Sequence, residues 1–121
     1  MPKHILSIDD EAPILDLIER FLSSKGYRVT TAQTAAAARK VVEVDPPDLI
    51  ITDLQLEDSD GLKLVEELKV LLPAVPVILL TGVLFDARAI EENIGKRVSG
   101  YLDKTAPLKQ LLQEIHRLLG D

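Results

Sequence analysis

Apolar residues run along the chain in two alternating rhythms. Short unbroken runs, such as Ile50-Ile51 and Val77-Ile78-Leu79-Leu80, alternate with longer stretches where apolar positions recur every three or four residues. The short runs predict strands at residues 3–8, 28–32, 48–52, 77–81 and 100–103. An apolar run without polar alternation marks a strand covered on both faces, as in parallel sheets flanked by helices. Between the strands, Ile14, Leu17, Ile18, Phe21 and Leu22 form one helical stripe, and Gly26 suits its stop. Residues 34–44 are alanine-rich, with Thr34 as cap, until Pro46-Pro47 break the run. Asp60 is placed to cap a third helix carrying Leu64, Leu68 and Leu71, ended by Pro73. A fourth helix is expected over residues 86–94. The last carries Leu108, Leu111, Leu112, Ile115, Leu118 and Leu119, with Pro107 in its first turn. Five strand-then-helix units predict an α/β fold: a doubly wound (βα)5 parallel sheet, helices on both faces. Right-handed crossovers favour the strand order 2-1-3-4-5.

Composition narrows this picture. A chain of 121 residues, 46 % hydrophobic, suits one domain over residues 1–121 with one core. No apolar run approaches the ~20 residues of a membrane span. Met1-Pro2-Lys3-His4 leads into a strand and not into a secretory leader pattern. The chain has no cysteine, which excludes disulfides, thiolate metal sites and cysteine nucleophiles; a cytoplasmic location fits. A net charge of −6 argues against non-specific nucleic-acid binding, and 3 % aromatics leave few platforms for stacking bases or flavins. Of the two histidines, His4 lies early in the first strand and His116 in the last helix, so neither is assigned chemistry.

In open parallel sheets, ligands bind beyond the carboxyl ends of the strands, at the switch point. Asp9 and Asp10 follow the first strand and Asp53 the third; Thr81 ends the fourth, and Lys104 follows the fifth. Three carboxylates, one hydroxyl and one ammonium would then share one edge. Each residue has a plainer reading as a helix cap, a turn residue or solvated surface; their joint placement outweighs it. Carboxylate pairs at ~4 Å repel by about 4 kcal/mol at an effective dielectric near 20. Protonation or a divalent cation would relieve this, and oxygen ligands with room for water suit Mg²⁺ or Mn²⁺. One such cation and Lys104 would balance the three carboxylates, leaving a site ready for an anionic phosphoryl group. Glu11 reads as a first-turn helix acid.

With "IDDE" at 8–11, "LIITDLQLEDSDGL" at 49–62, "ILLTG" at 78–82 and "GYLDK" at 100–104, the chain resembles the receiver domain of bacterial two-component response regulators. Gly61 eight residues after Asp53, and Tyr101 three before Lys104, add to the match, which covers essentially the whole chain. The resemblance implies a flavodoxin-like fold and a signalling phosphoacceptor that is not an enzyme. Asp53 would accept the phosphoryl group; Asp9, Asp10, Asp53 and the backbone carbonyl of Gln55 would hold Mg²⁺. Lys104 and Thr81 would contact the phosphoryl oxygens, and Thr81 and Tyr101 would form the switch. The face built from the fourth helix, fifth strand and last helix would then change its affinity for partners. Implied partners are a histidine kinase or phosphotransfer protein, a downstream protein or an output domain, and a second copy on phosphorylation. No direct nucleic-acid or membrane contact is implied.

The chain departs from the family pattern in places. Thr105 stands where proline usually follows the lysine, and a trans Lys104–Thr105 bond is expected, since cis would cost ~2.5–4 kcal/mol. Glu57 replaces a usual proline, which sets Glu57 and Asp58 near the metal approach. Leu84 and Phe85 are unusually apolar for their loop, and the Gly-Ala pair before the switch aromatic is missing. The rival reading is a degenerate receiver that binds partners without phosphate; all five site residues being present argues against it. A phosphatase with Asp-x-Asp after the first strand, or a flavin carrier with a hydroxyl-rich phosphate loop there, fits adjacent aspartates poorly.

Overall fold

The computed structural model describes residues 2–53, 56, 58, 61–81 and 98–120. Within them the chain runs β1 (His4–Ile8), α1 (Ala12–Ser24), β2 (Arg28–Ala32), α2 (Ala35–Val44), β3 (Leu49–Thr52), α3 (Gly61–Leu71), β4 (Val77–Thr81), β5 (Gly100–Asp103) and α4 (Leu108–Leu119). The strands pair in parallel in the order β2-β1-β3-β4-β5, the order the sequence favours. The helix expected over 86–94, its loop with Val83, Leu84 and Phe85, and Gln55, Glu57 and Asp60 lie outside the described residues.

Alternate strand residues feed two cores. Leu6, Ile8, Ile50 and Val77 face α2 and α3, packing with Ala35, Ala38, Leu64 and Leu68. Ile5, Leu49, Ile51, Ile78 and Leu80 face α1 and α4, packing with Ile18, Leu22, Leu111 and Ile115. The unbroken apolar runs follow from this: β1, β3 and β4 are buried on both faces. β1 and β3 each begin one residue later than expected. At that end His4 donates its backbone N–H to the Asp48 carboxylate, and Asp48 N–H donates to His4 O, both at 2.7 Å, outside the regular ladder.

The helix ends are chemically specified. After α1, Gly26 adopts φ +95° while Gly26 N–H donates to Ser23 O and Tyr27 N–H to Leu22 O, a Schellman stop. Thr34 caps α2 by accepting from Ala37 N–H at 3.1 Å. Pro107 sits at the N-cap of α4 rather than in its first turn, since its ψ of 141° is extended. The apolar stripes also shift. In α1, Leu15 is buried with Ile18 and Leu22, while Leu17 is 54 % exposed. In α3, Val65 is buried with Leu64 and Leu68, while Leu71 is 60 % exposed at the helix end. Periodicity finds the stripe, but its margins depend on where neighbouring elements lie. His4 is buried, with Thr30 Oγ1 2.7 Å from Nε2 and Pro46 O 3.4 Å from Nδ1, whereas His116 is exposed.

Candidate functional site

Parallel register brings the strand ends level. Ile8 pairs with Thr52, and Thr81 with Asp103, so the next residues emerge along one edge. One further ladder bond holds each buried aspartate: Asp9 N–H donates to Ala32 O at 3.1 Å and Asp53 N–H to Ile8 O at 3.0 Å. Asp9 is 2 % and Asp53 6 % exposed, while Asp10 faces solvent. One carboxylate oxygen from each of Asp9, Asp10 and Asp53 lies within 4.8 Å of the others. Lys104, from the far side of the sheet, places Nζ 3.0 Å from Asp53 Oδ2 and 3.0 Å from Asp9 Oδ2.

Glu11 joins this group, which the sequence reading did not foresee. It is the N-cap residue of α1, not a first-turn acid, and its side chain makes no capping bond. Its Oε2 lies 2.8 Å from Lys104 Nζ. Burial disfavours the Lys104 ammonium, but its hydrogen bonds to Glu11, Asp53 and Asp9 outweigh this and raise its pKa above the usual lysine value. Burial pushes the Asp9 carboxyl up, and the nearby Asp53 charge adds to this. The Glu11 N–H bond to Asp9 Oδ1, at 2.9 Å, and Lys104 oppose the rise. Three carboxylates thus hold one ammonium, and Asp10 stands beside two of them. An all-oxygen triad with one exposed member fits a hard divalent cation with waters in its open positions. The candidate ligand Gln55 lies outside the described residues, Thr81 is the last residue of β4, and Tyr101 is half-buried on β5 opposite Leu79.

Near the site one expectation is met and two details go beyond the sequence reading. The Lys104–Thr105 peptide is trans, as expected. Thr105 donates both its N–H and its hydroxyl to Asp103 Oδ1 at 2.7 Å, closing a turn around Lys104 that a proline could not close in this way. Asp58, set near the metal approach by the sequence reading, does not belong to the converging triad. It accepts from Ala35 N–H at 2.8 Å and Ala36 N–H at 3.1 Å, at the start of α2. Free backbone donors at a helix N-terminus attract an acid, and here the acid comes from another segment.

Known proteins resemble this chain in sequence and in fold. Residues 5–116 match the family model of the response regulator receiver domain. The transcriptional regulatory protein GlrR of Escherichia coli K12 is 35 % identical over 108 residues, covering 87 % of this chain and 24 % of GlrR. The photosynthetic apparatus regulatory protein RegA of Cereibacter sphaeroides is 31 % identical over 119 residues, covering 98 % of this chain and 62 % of RegA. The chain therefore spans only part of the length of these relatives. The crystal structure of a CheY-like receiver domain protein from Methanospirillum hungatei JF-1 superposes with a TM-score of 0.91 at 28 % identity, covering 99 % of this chain and 95 % of that one.

Proposed function

The chain belongs to the response regulator receiver domain family, and on that premise we propose that residues 1–121 form one phosphoacceptor module that takes a phosphoryl group on Asp53. The observation that carries this reading is the buried Asp53 carboxylate held 3.0 Å from Lys104 Nζ, beside two further aspartates. An Asp53 oxygen attacks the donor phosphorus. A new O–P bond forms as the bond to the leaving group breaks, and that electron pair departs with acetate from acetyl phosphate, or with the imidazole of a donor phosphohistidine. Asp9, Asp10, Asp53 and the Gln55 carbonyl would hold Mg²⁺ or Mn²⁺. When bound, that cation neutralises charge on the phosphoryl oxygens. Lys104 turns from a carboxylate to a phosphoryl oxygen, and the Thr81 hydroxyl donates to another.

The acyl phosphate brings roughly two negative charges to the edge. Thr81 moves toward them, Tyr101 turns inward, and a pre-existing equilibrium shifts at the face that includes β5 and α4. Because the acceptor is the module's own side chain, the chemistry is self-modification and not turnover of a substrate. Phosphoryl donors would be a histidine kinase or phosphotransfer protein, and the receiver of the signal a downstream protein, an output domain or a second copy. No described helix is long and apolar enough to cross a membrane, and a cytoplasmic role fits this. Intact-mass measurement after incubation with acetyl phosphate and Mg²⁺ tests the acceptor. One phosphoryl group on the wild type and none on Asp53→Asn is the expected result; equal labelling of both would refute the assignment.

A further inference from the structure

Glu11 stands at the N-cap of α1 without capping it. Its backbone has φ −94° and ψ 101°, suited to that position, yet its carboxylate bonds to none of the first-turn amides. It lies instead 2.8 Å from Lys104 Nζ, closer than Asp9 or Asp53. Its side chain is 56 % exposed, against 3 % for Asp9 and 8 % for Asp53. Among the described residues, it is not part of the triad whose oxygens converge within 4.8 Å.

A lysine ammonium has three N–H donors. Asp9, Asp53 and Glu11 occupy all three. A phosphoryl oxygen that takes up Lys104 must therefore displace a carboxylate. Asp9 and Asp53 are buried and fixed by the strand ends, so until the O–P bond forms on Asp53, leaving the ammonium would strand a desolvated charge. Glu11 reaches in from the solvent side and can turn back to water at little cost. The same charge repels an anionic donor approaching the edge.

We propose that Glu11 is a displaceable counter-ion that holds Lys104 in the resting site and gives it up to the incoming phosphoryl group, setting how readily an anionic donor is accepted. This rests on the phosphoacceptor reading of Asp53 and adds a positioning residue that acts through Lys104. Two variants test it: Glu11→Gln keeps the length and removes the charge, and Glu11→Ala removes both. Labelling by acetyl phosphate at saturating Mg²⁺ is followed by intact mass over a range of donor concentrations.

The donor concentration for half-maximal rate falls about threefold in both variants, the scale of a partly exposed ion pair. The maximal rate holds. The difference shrinks at ~1 M salt, where the screening length is about 3 Å. Beryllofluoride with Mg²⁺ binds about threefold tighter by calorimetry, for the same reason. Mg²⁺ alone binds within about threefold of the wild type. A merely structural role would lower the maximal rate and the melting temperature, with no dependence on salt. Unchanged or weaker donor and beryllofluoride affinity overturns the proposal. So does a tenfold or greater loss of Mg²⁺ affinity, which would make Glu11 a metal ligand. If the wild type neither labels nor binds beryllofluoride, the reading of Asp53 falls and this one with it; if it labels and the variants match it, the Glu11 proposal falls alone.

Discussion

At Asp9, a charge is held where burial disfavours it. The side chain is almost wholly covered, and its pKa is raised first by burial and further by Asp53. The ionised form therefore weakens the metal-free fold, while the same oxygens suit a cation. Asp9→Asn keeps the acceptor for Glu11 N–H and removes the charge. In metal-free buffer it should raise the melting temperature by about 4 °C, roughly 1 kcal/mol for a chain of this length. Titration calorimetry should show Mg²⁺ affinity falling about tenfold or more. A variant that melts lower without metal would contradict the first half. Thr105 shows the opposite economy: a residue foreign to the family pattern supplies an N–H and a hydroxyl that bind Asp103 on the other side of Lys104.

Among the elements, α2 shows how a segment far along the chain finishes a helix. Thr34 satisfies one amide of its first turn, Asp58 two more, and Arg39 grips Glu67 of α3 at 2.7 and 3.1 Å. The Ala35 N–H bond is the main reason that the Asp58 pKa lies below the usual aspartate value; burial opposes it, and the Ala36 N–H bond adds to it. A carboxyl lowered in the folded state stabilises the fold above its unfolded pKa, near 3.9, and that contribution is lost as pH falls through the folded value. Melting curves of wild type and Asp58→Asn should therefore differ most near neutral pH and converge below about pH 4. A gap that persists unchanged at pH 3 would show that the charge is not what holds the helix start. Asp45, bonded to Arg28, Glu67, bonded to Arg39, and Asp103, bonded to Thr105, are lowered as well and reinforce the acid limb.

Over the whole molecule, two apolar layers hold a rigid sheet whose carboxyl edge concentrates like charge. Among the described residues, four carboxylates against one ammonium make that edge the place where ligand binding and stability are linked. A cation bound only by the folded state stabilises it by about 2.7 kcal/mol at a hundredfold excess over Kd. Saturating Mg²⁺ should raise the melting temperature of the wild type by several degrees, and of Asp10→Asn by less. No shift in the wild type would argue that the triad holds no cation.

The strand order and the two-sided cover were legible because buried parallel strands must be apolar on both faces, and helices must repeat every 3.6 residues. The gathering of Asp9, Asp10, Asp53 and Lys104 was legible for the same reason: strand ends in a parallel sheet share an edge, whatever the intervening chain does. What folding alone settled are contacts between charged side chains far apart in sequence. Glu11 in "IDDE" looks like a helix acid until Lys104 arrives 93 residues later, and Asp58 looks like a metal-side acid until α2 offers its amides. Leu17 and Leu71 fit the helical period yet face water, because a stripe's margin depends on its neighbours and not on its spacing. Periodicity constrains which face is buried; the partner of a polar group is chosen by distance in three dimensions, which local pattern does not encode.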